Sequence, residues 1–115
     1  MIIDVTIKNF EEEVLNYEGL VLVDFWATWC GPCRRFADVL HALDDDQDVD
    51  VKICKVNIDE EEDLANGFKI MSIPTVLVYK NGKLVENFLG GRSLNEMKNL
   101  VSKHLWFFKK IDVVD

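Results

Sequence analysis

The sequence predicts a single α/β domain in which a mixed five-stranded sheet is flanked by helices on both faces. Strand and helix patterns alternate along most of the 115 residues, and a hairpin pattern follows near the end. One early strand is almost entirely apolar, as in strands buried on both faces of a parallel sheet. This length suits one domain with one hydrophobic core.

The first three predicted elements lead up to the buried strand. A short strand is predicted from Ile2 to Val5. Asn9 and Glu12 have the spacing of a capping box, which predicts a helix that ends by Gly19. The segment from Leu20 to Trp26, LVLVDFW, is the apolar strand.

The middle of the chain repeats the helix and strand patterns. A helix is predicted from Pro32, because proline suits the first helical turn and apolar residues then recur at helical spacing. The acidic segment from Asp44 to Asp50 ends this helix as a solvated turn, with a functional acidic segment as the alternative. A second buried strand is predicted over 51–58 and a short helix over 60–67.

The last part of the chain predicts a hairpin and a final helix. Strands are expected over 75–79 and 84–89, joined through Asn81-Gly82, a strong hairpin signal. Ser93 and Glu96 form a capping box that opens a helix running to Leu105. The full order is β-α-β-α-β-α-β-β-α, which predicts parallel pairing first and antiparallel pairing last.

The composition excludes several classes of function. Lys and Arg number 13 and Asp and Glu number 21, for a net charge of -8, which disfavours nucleic acid or an anionic membrane as the main partner. No apolar stretch approaches the roughly 18 residues of a membrane-spanning helix. No secretory signal pattern is visible at the N-terminus, so we expect a cytoplasmic protein.

The cysteines indicate redox or metal chemistry in a reducing compartment. Three cysteines are too few, and the wrong parity, for a secreted disulfide scaffold. Cys30 and Cys33 are three residues apart in the segment WCGPC, between the buried strand and the next helix. Free N–H groups and positive potential at the helix N-terminus stabilise a thiolate at Cys30. We therefore expect Cys30 to be the exposed nucleophile and Cys33 the shielded resolving thiol.

Asp24 supports the redox interpretation independently. A carboxylate within an apolar strand is costly unless it is paired or neutral, and burial raises its pKa towards neutrality. Such a group is suited to proton transfer near pH 7. Lys55, in the next apolar strand, is its expected partner. The alternative is that the two residues form only a structural ion pair.

A zinc site is the metal alternative for the cysteine pair. Structural zinc needs four ligands, typically in two close pairs, whereas Cys54, His41 and His104 are scattered singly. We therefore expect no metal. Cys54 is expected to pack as a small buried residue, with redox sensing as the alternative. The two histidines are expected to lie on helix surfaces or to be partly packed.

The motifs together resemble the thioredoxin family. They are VDFWATWCGPC followed by a helix, then KVNID, SIPT, KNG and FLGG, in the family's order and spacing over roughly residues 1 to 106. The resemblance implies the thioredoxin-like fold and a protein-disulfide reductase with no cofactor beyond the Cys30–Cys33 disulfide. It also implies thioredoxin reductase as electron donor and disulfide-containing proteins as clients.

The resemblance also implies roles at matching positions. Cys30 would attack a substrate disulfide and Cys33 would resolve the mixed disulfide, with Asp24 and Lys55 handling the proton of Cys33. The Ile73-Pro74 peptide bond would be cis and would pair with an extended substrate. The substrate-binding surface would be formed by Trp29, Gly31, Pro32, Ile73, Gly90 and Gly91.

Three features depart from the family pattern. Asp38 stands where thioredoxins commonly have a helix-bending proline, so a straighter helix is expected. Arg34 replaces the more usual lysine and keeps the positive charge. The chain also continues as a C-terminal extension over 107–115.

The extension begins beside an apolar cluster from Leu105 to Phe108, which cannot all face inward from one helix. We expect a monomer in which an extra turn of helix packs this cluster on its own domain. Val113 and Val114 further suggest that the tail folds back over the cluster. Weak self-association through the tail is the alternative.

Two further functions stay open at this point. A thioredoxin fold could serve as a binding module with an incidental dithiol. The complete set of Cys30, Cys33, Asp24, Lys55 and Pro74 favours the reductase instead, because an adaptor need not retain them. A reductant dedicated to one client enzyme is also compatible with the sequence.

Overall fold

Five strands form one mixed sheet in a computed structural model that describes residues 1–114, with side chains described for residues 1–105. The strands are β1 (Ile2–Asp4), β2 (Leu20–Trp26), β3 (Lys52–Asn57), β4 (Thr75–Lys80) and β5 (Lys83–Leu89). Their spatial order is β1-β3-β2-β4-β5. Strand β3 pairs in parallel with both β1 and β2, whereas β4 pairs antiparallel with both β2 and β5. This arrangement confirms the predicted mixed sheet.

Helical segments connect the strands and cover both faces of the sheet. They are a short π-helical segment (Glu11–Leu15), α1 (Gly31–Asp45), α2 (Glu62–Gly67) and α3 (Leu94–Val114). None of the described helices has the length and apolar content that a membrane crossing requires.

The apolar strand β2 divides the hydrophobic core into two layers. Successive strand side chains point to opposite faces, so Val21, Val23 and Phe25 pack on the side of the π-helical segment and α2. Leu20 and Leu22 pack on the other side, against α1 and α3. Because β2 is central, its side chains are almost fully buried on both faces.

The N-terminal capping prediction is wrong at one helix and confirmed at another. Asn9 does not cap a regular helix, because its side-chain oxygen accepts the Thr6 N–H at 2.7 Å and the segment that follows is π-helical. This segment ends at Leu15, which agrees with the predicted end by Gly19. The Ser93–Glu96 capping box is present, because each side chain accepts the other residue's N–H, at 3.0 and 3.2 Å.

The last helix is longer than predicted. Its backbone is helical to Val114, so the chain beyond Leu105 continues α3, which confirms the expected extra helical turn, whereas the predicted fold-back is wrong. Leu105 packs against the α1–α3 side of the core. The predicted packing of the apolar cluster beyond Leu105 lies outside the described side chains.

The hairpin turn is fixed by its contact with the π-helical segment. Asn81 and Gly82 both have positive φ, at 51° and 80°, as a two-residue hairpin loop of this kind requires. A Cβ atom at Gly82 would overlap the backbone carbonyl oxygen of Leu15. Glycine is therefore needed at 82 for both conformation and space.

We predict that Gly82→Ala lowers the free energy of unfolding by at least about 2 kcal/mol, because it adds left-handed strain to a backbone clash. Urea unfolding of the oxidised protein measures the change. Gly67→Ala is the matched control, because a Cβ atom there meets no atom within 4 Å and should leave stability equal or slightly higher. Equal stabilities for the two variants would show that the turn does not depend on this contact.

Candidate active site

Four chain segments converge at one edge of the sheet, and both motif cysteines lie there. The carboxyl ends of the parallel strands β2 and β3 share this edge with the amino end of β4, because β4 runs against β2. Strand β5 runs against β4 and returns to the same edge at Leu89. The topology therefore places the segments after Trp26, Asn57 and Leu89 next to the segment before Thr75.

Cys30 and Cys33 form a disulfide at the start of α1, with Cα atoms 5.2 Å apart. Cys30 is the N-cap residue, and its Sγ atom accepts a hydrogen bond from the Cys33 N–H at 3.2 Å. Pro32 lies in the first turn, as predicted. The helix N-terminus thus directs an N–H group and its positive potential at the Cys30 sulfur.

The two cysteines differ less in exposure than predicted. Cys30 is 5% exposed and Cys33 is 1% exposed, so Cys30 is largely covered in the disulfide form. The covering atoms are apolar and include Trp26 and Ile73. Cys30 is still the more accessible of the two, in agreement with the predicted order.

The Ile73-Pro74 segment lies directly beside the disulfide. Its peptide bond is cis, as the family resemblance implies. The Ile73 carbonyl oxygen is 3.8 Å from the Cys30 Sγ atom. Pro74 is in turn held by Gly90, whose N–H donates to the Pro74 carbonyl oxygen at 2.8 Å.

The two glycines after β5 bring that loop close to the cysteine helix. Gly90 has a φ of +79°, which favours glycine. A Cβ atom at Gly91 would come within 3.3 Å of the Phe36 ring on α1. The loop therefore approaches α1 closely, on the opposite side of the proline segment from β2.

Trp29 is exposed rather than packed in the core. Its side chain is 65% exposed, and its Nε1 atom donates to the Asp59 carboxylate at 2.9 Å. Sequence reasoning did not identify Asp59. The available signal was its position just after β3, because parallel β2 and β3 end at the same edge and bring the residues after them together.

Asp24 is buried beneath this edge and pairs only weakly with Lys55. Its exposure is 0%, and neither carboxylate oxygen has a hydrogen-bond partner among the described residues. The Lys55 Nζ atom is 3.9 Å from the nearer oxygen and lies 4.5 Å above the Trp26 ring. Burial raises the pKa of Asp24 from 3.8 to about 7, and the Lys55 charge opposes this increase.

The alternation of β2 places Asp24 on the same face as Trp26, which contacts the cysteine cluster. That face is covered by α1, the helix that contains Cys33. Asp24, Lys55 and Cys33 are therefore on one side of the sheet. A cavity of about 180 Å³ is bordered by Lys55 and Trp26, and the Lys55 side chain is 12% exposed.

The remaining candidate residues lie apart from the cysteine pair. Cys54 is fully buried in β3, as predicted, and burial raises the pKa of its thiol to about 11. His41 is exposed on α1, whereas His104 is half-buried and lies 2.7 Å from the Glu86 carboxylate. Among the residues with described side chains, no three His, Cys, Asp or Glu are grouped so that they could hold a metal ion.

Comparison with known proteins agrees with this geometry. The family model for thioredoxin matches residues 1–103. The chain is 42% identical to the thioredoxin of Listeria monocytogenes over 105 residues, which cover 91% of this chain and all of the relative. It is 43% identical to the thioredoxin of Bacillus subtilis over 104 residues, covering 90% and 98% of the two chains.

The fold and the cysteine pair are those of a thiol-disulfide oxidoreductase. The chain belongs to the thioredoxin family. It is a protein-disulfide reductase, and its redox-active group is the Cys30–Cys33 disulfide.

We predict that the Asp24 carboxylate makes stability fall as pH rises. The folded pKa of about 7 exceeds the ordinary value of 3.8, so the folded state binds the proton more tightly than the unfolded state does. The stabilising effect of the protonated form is complete below pH 4 and is lost by pH 7 to 8. The difference between the two pKa values corresponds to roughly 4 kcal/mol.

Urea unfolding of Asp24→Asn and the parent at pH 4.5 and pH 8 tests this expectation. The variant should gain stability relative to the parent between the two pH values, because it has no carboxylate to ionise. Asp38→Asn is the control, since Asp38 is exposed on α1 and its substitution should give the same difference at both pH values. A pH-independent difference for Asp24→Asn would contradict the assignment of the raised pKa.

Proposed function

We propose that this protein is a cytoplasmic electron carrier that reduces client disulfides through Cys30 and is re-reduced by thioredoxin reductase. The main observation behind this proposal is the hydrogen bond from the Cys33 N–H to the Cys30 Sγ atom. In the reduced protein the same N–H group would stabilise the Cys30 thiolate, which is the nucleophile in thiol-disulfide exchange.

In the proposed first step, the Cys30 thiolate attacks one sulfur of a client disulfide. A bond forms between Cys30 and that sulfur, and the client's own disulfide bond breaks. The second client sulfur leaves as a thiolate and takes up a proton. The product is a mixed disulfide between Cys30 and the client.

In the second step, Cys33 loses its proton and attacks the Cys30 sulfur. The Cys30–Cys33 disulfide forms, and the first client sulfur leaves as a thiolate. The client has then gained two electrons and the protein has lost two. The reductase restores the dithiol and completes the cycle.

Asp24 is proposed as the proton acceptor for Cys33. A pKa near 7 allows the carboxylate to take a proton and return it near neutral pH. The Lys55 Nζ atom, 3.9 Å from the Asp24 carboxylate, keeps the pKa of Asp24 from rising further. We propose Asp24 and Lys55 as proton-handling residues on this basis.

The proposed client-binding surface surrounds the disulfide. The Ile73 carbonyl, beside Cys30, is placed to accept a hydrogen bond from the backbone of an extended client segment. Pro74 positions this carbonyl. The surface would comprise Trp29, Gly31, Pro32, Ile73, Gly90 and Gly91.

The binding-module hypothesis predicts a protein that functions without its cysteines. We disfavour it because the disulfide, the cis proline and the buried carboxylate occur together.

We also propose that the functional domain ends near residue 106 and that 107–115 form an extension.

Insulin reduction with NADPH and thioredoxin reductase distinguishes a general reductant from one that is dedicated to a single client. Only the general reductant should catalyse this reaction efficiently.

We predict that limiting iodoacetamide near neutral pH labels Cys30 first in the reduced protein. Cys33 is more deeply buried, and Cys54 is fully buried with a thiol pKa of about 11. Peptide mapping by mass spectrometry identifies the labelled residue. Cys33→Ser should trap mixed disulfides with clients, whereas Cys30→Ser should form none. First labelling of Cys33 or Cys54 would reverse the assignment.

We predict that Asp24→Asn slows disulfide reduction near pH 7 by about tenfold or more, because Cys33 loses its proton acceptor. The rate of insulin reduction from pH 6 to pH 9 measures this effect. The deficit should shrink at high pH, where the thiol ionises without help. A rate equal to the parent's at every pH would show that Asp24 has no part in proton transfer.

A further inference from the structure

The chain contains only three arginines, Arg34, Arg35 and Arg92, and all of them lie on the segments that surround the disulfide. Two follow Cys33 directly in α1, and the third follows Gly91. An ideal Cβ position on Gly31 lies 3.6 Å from the Arg35 Nη1 atom and 4.0 Å from the Arg34 Nη2 atom. Two guanidinium groups therefore lie close to Gly31, one of the two residues between the cysteines.

A groove of about 290 Å³ lies between the start of α1 and the loop after β5. Its walls include Arg35 on one side and Arg92 on the other, and Pro32 borders it at the disulfide end. The Phe36 ring lies against Gly91 along the same groove. The groove therefore continues the proposed client-binding surface away from Cys30 and has a cationic group on each wall.

The two arginines differ in how they are held. Arg92 stacks on the Phe88 ring at 4.5 Å, and its Nη1 atom donates to the Leu89 and Gly91 carbonyl oxygens at 3.1 Å each. The Arg35 side chain is exposed and has no hydrogen bond or ion pair with any of residues 1–105. Its five N–H donors are available to a bound carboxylate.

One carboxylate also borders the groove. Glu96 accepts the Ser93 N–H at 3.0 Å, and hydrogen bonding with Ser93, together with the Arg92 charge, lowers its pKa. Glu96 therefore stays ionised and partly balances Arg92. The groove is lined by two arginines and this one carboxylate, so its net charge is positive.

The other side of the site has the opposite charge. Beyond Trp29, an acidic segment from Asp59 to Asp63 lines a separate surface depression. The chain as a whole has a net charge of -8, so the attraction of an acidic client to the arginines is local and acts against the overall repulsion. An acidic client segment should therefore lie on the arginine side of the disulfide rather than on the side of Asp59 to Asp63.

We propose that the groove between Arg35 and Arg92 binds acidic residues of the client polypeptide close to its disulfide, so that the protein prefers disulfides in acidic segments. This inference rests on the proposed function, because it assumes that clients bind around Cys30. The binding is electrostatic and geometric, since planar guanidinium groups pair with carboxylates in a bidentate manner.

The test uses three synthetic peptides with one intramolecular disulfide, flanked on both sides by Glu, Gln or Lys. The fully reduced protein is mixed with each peptide at low ionic strength, and single-turnover reduction is followed by separation of the thiol product. We expect the Glu peptide to react about threefold to tenfold faster than the Gln peptide and the Lys peptide to react slowest. The preference should decline in 0.5 M salt.

Two variants assign the preference to the groove. Arg35→Gln should reduce the preference for the Glu peptide and leave the Gln-peptide rate unchanged, and Arg35→Gln combined with Arg92→Gln should abolish the preference. Arg35→Lys should retain most of it. The control, Lys83→Gln with Lys98→Gln, removes the same charge at the far end of the sheet and of α1, where Lys98 pairs with Asp46.

The outcomes separate this proposal from the proposed function. If no peptide is reduced, the proposed function fails. If all three peptides are reduced at equal rates, or if the control variant loses the preference as fully as the arginine variants do, the groove has no role in client choice. Because Arg92 also holds the loop after β5, the single Arg35→Gln variant decides the outcome should the double variant not fold.

Discussion

The hydrogen bond between the Cys33 N–H and the Cys30 sulfur is the interaction around which this structure is organised. It exists because Cys30 lies in the short connection between β2, which ends at Trp26, and α1, which starts at Gly31. An unpaired N–H group of the first helical turn therefore faces the sulfur. The buried strand fixes one end of this junction and the packed helix fixes the other. The remaining segments at the sheet edge are arranged around that sulfur: the cis proline beside it, and the glycine loop against the proline.

Burial of the Asp24 carboxylate beneath α1 lowers the stability of the folded protein near neutral pH. Every other side chain of β2 from Leu20 to Phe25 is apolar and fully or almost fully buried, whereas Asp24 has no hydrogen-bond partner among the described residues and a lysine only at 3.9 Å. A neutral residue at this position would make a more stable domain near neutral pH. The raised pKa of Asp24 and the lower stability of the folded protein near neutral pH have the same cause, which is removal of the carboxylate from water. A change in the burial of Asp24 would therefore alter both properties together.

The sequence predicted the fold where local signals agreed with tertiary packing. The apolar run in β2, the Asn81-Gly82 turn and the Ser93–Glu96 box all correspond to structure, because each pattern leaves few alternatives. The Asn9 cap failed because the side chain has a nearer donor in Thr6, and a capping pattern does not reveal such competition. In the site, the cysteine order and Asp24 followed from local chemistry. The Trp29–Asp59 contact and the groove between Arg35 and Arg92 required knowledge of which strand ends meet.

The three arginines are a second feature of the site that the sequence alone did not predict. In the sequence they are two neighbours and one residue 57 positions later, within a chain of net charge -8, and they suggest no common role. Antiparallel pairing of β5 with β4 brings Leu89 opposite Thr75, so the loop that contains Arg92 must return to the edge where α1 begins. The close approach of Gly91 to Phe36 then keeps the groove narrow, because a Cβ atom at 91 would come within 3.3 Å of the Phe36 ring. A charge pattern thus becomes a candidate recognition surface only through strand direction and one glycine, both of which belong to the fold rather than to the motif.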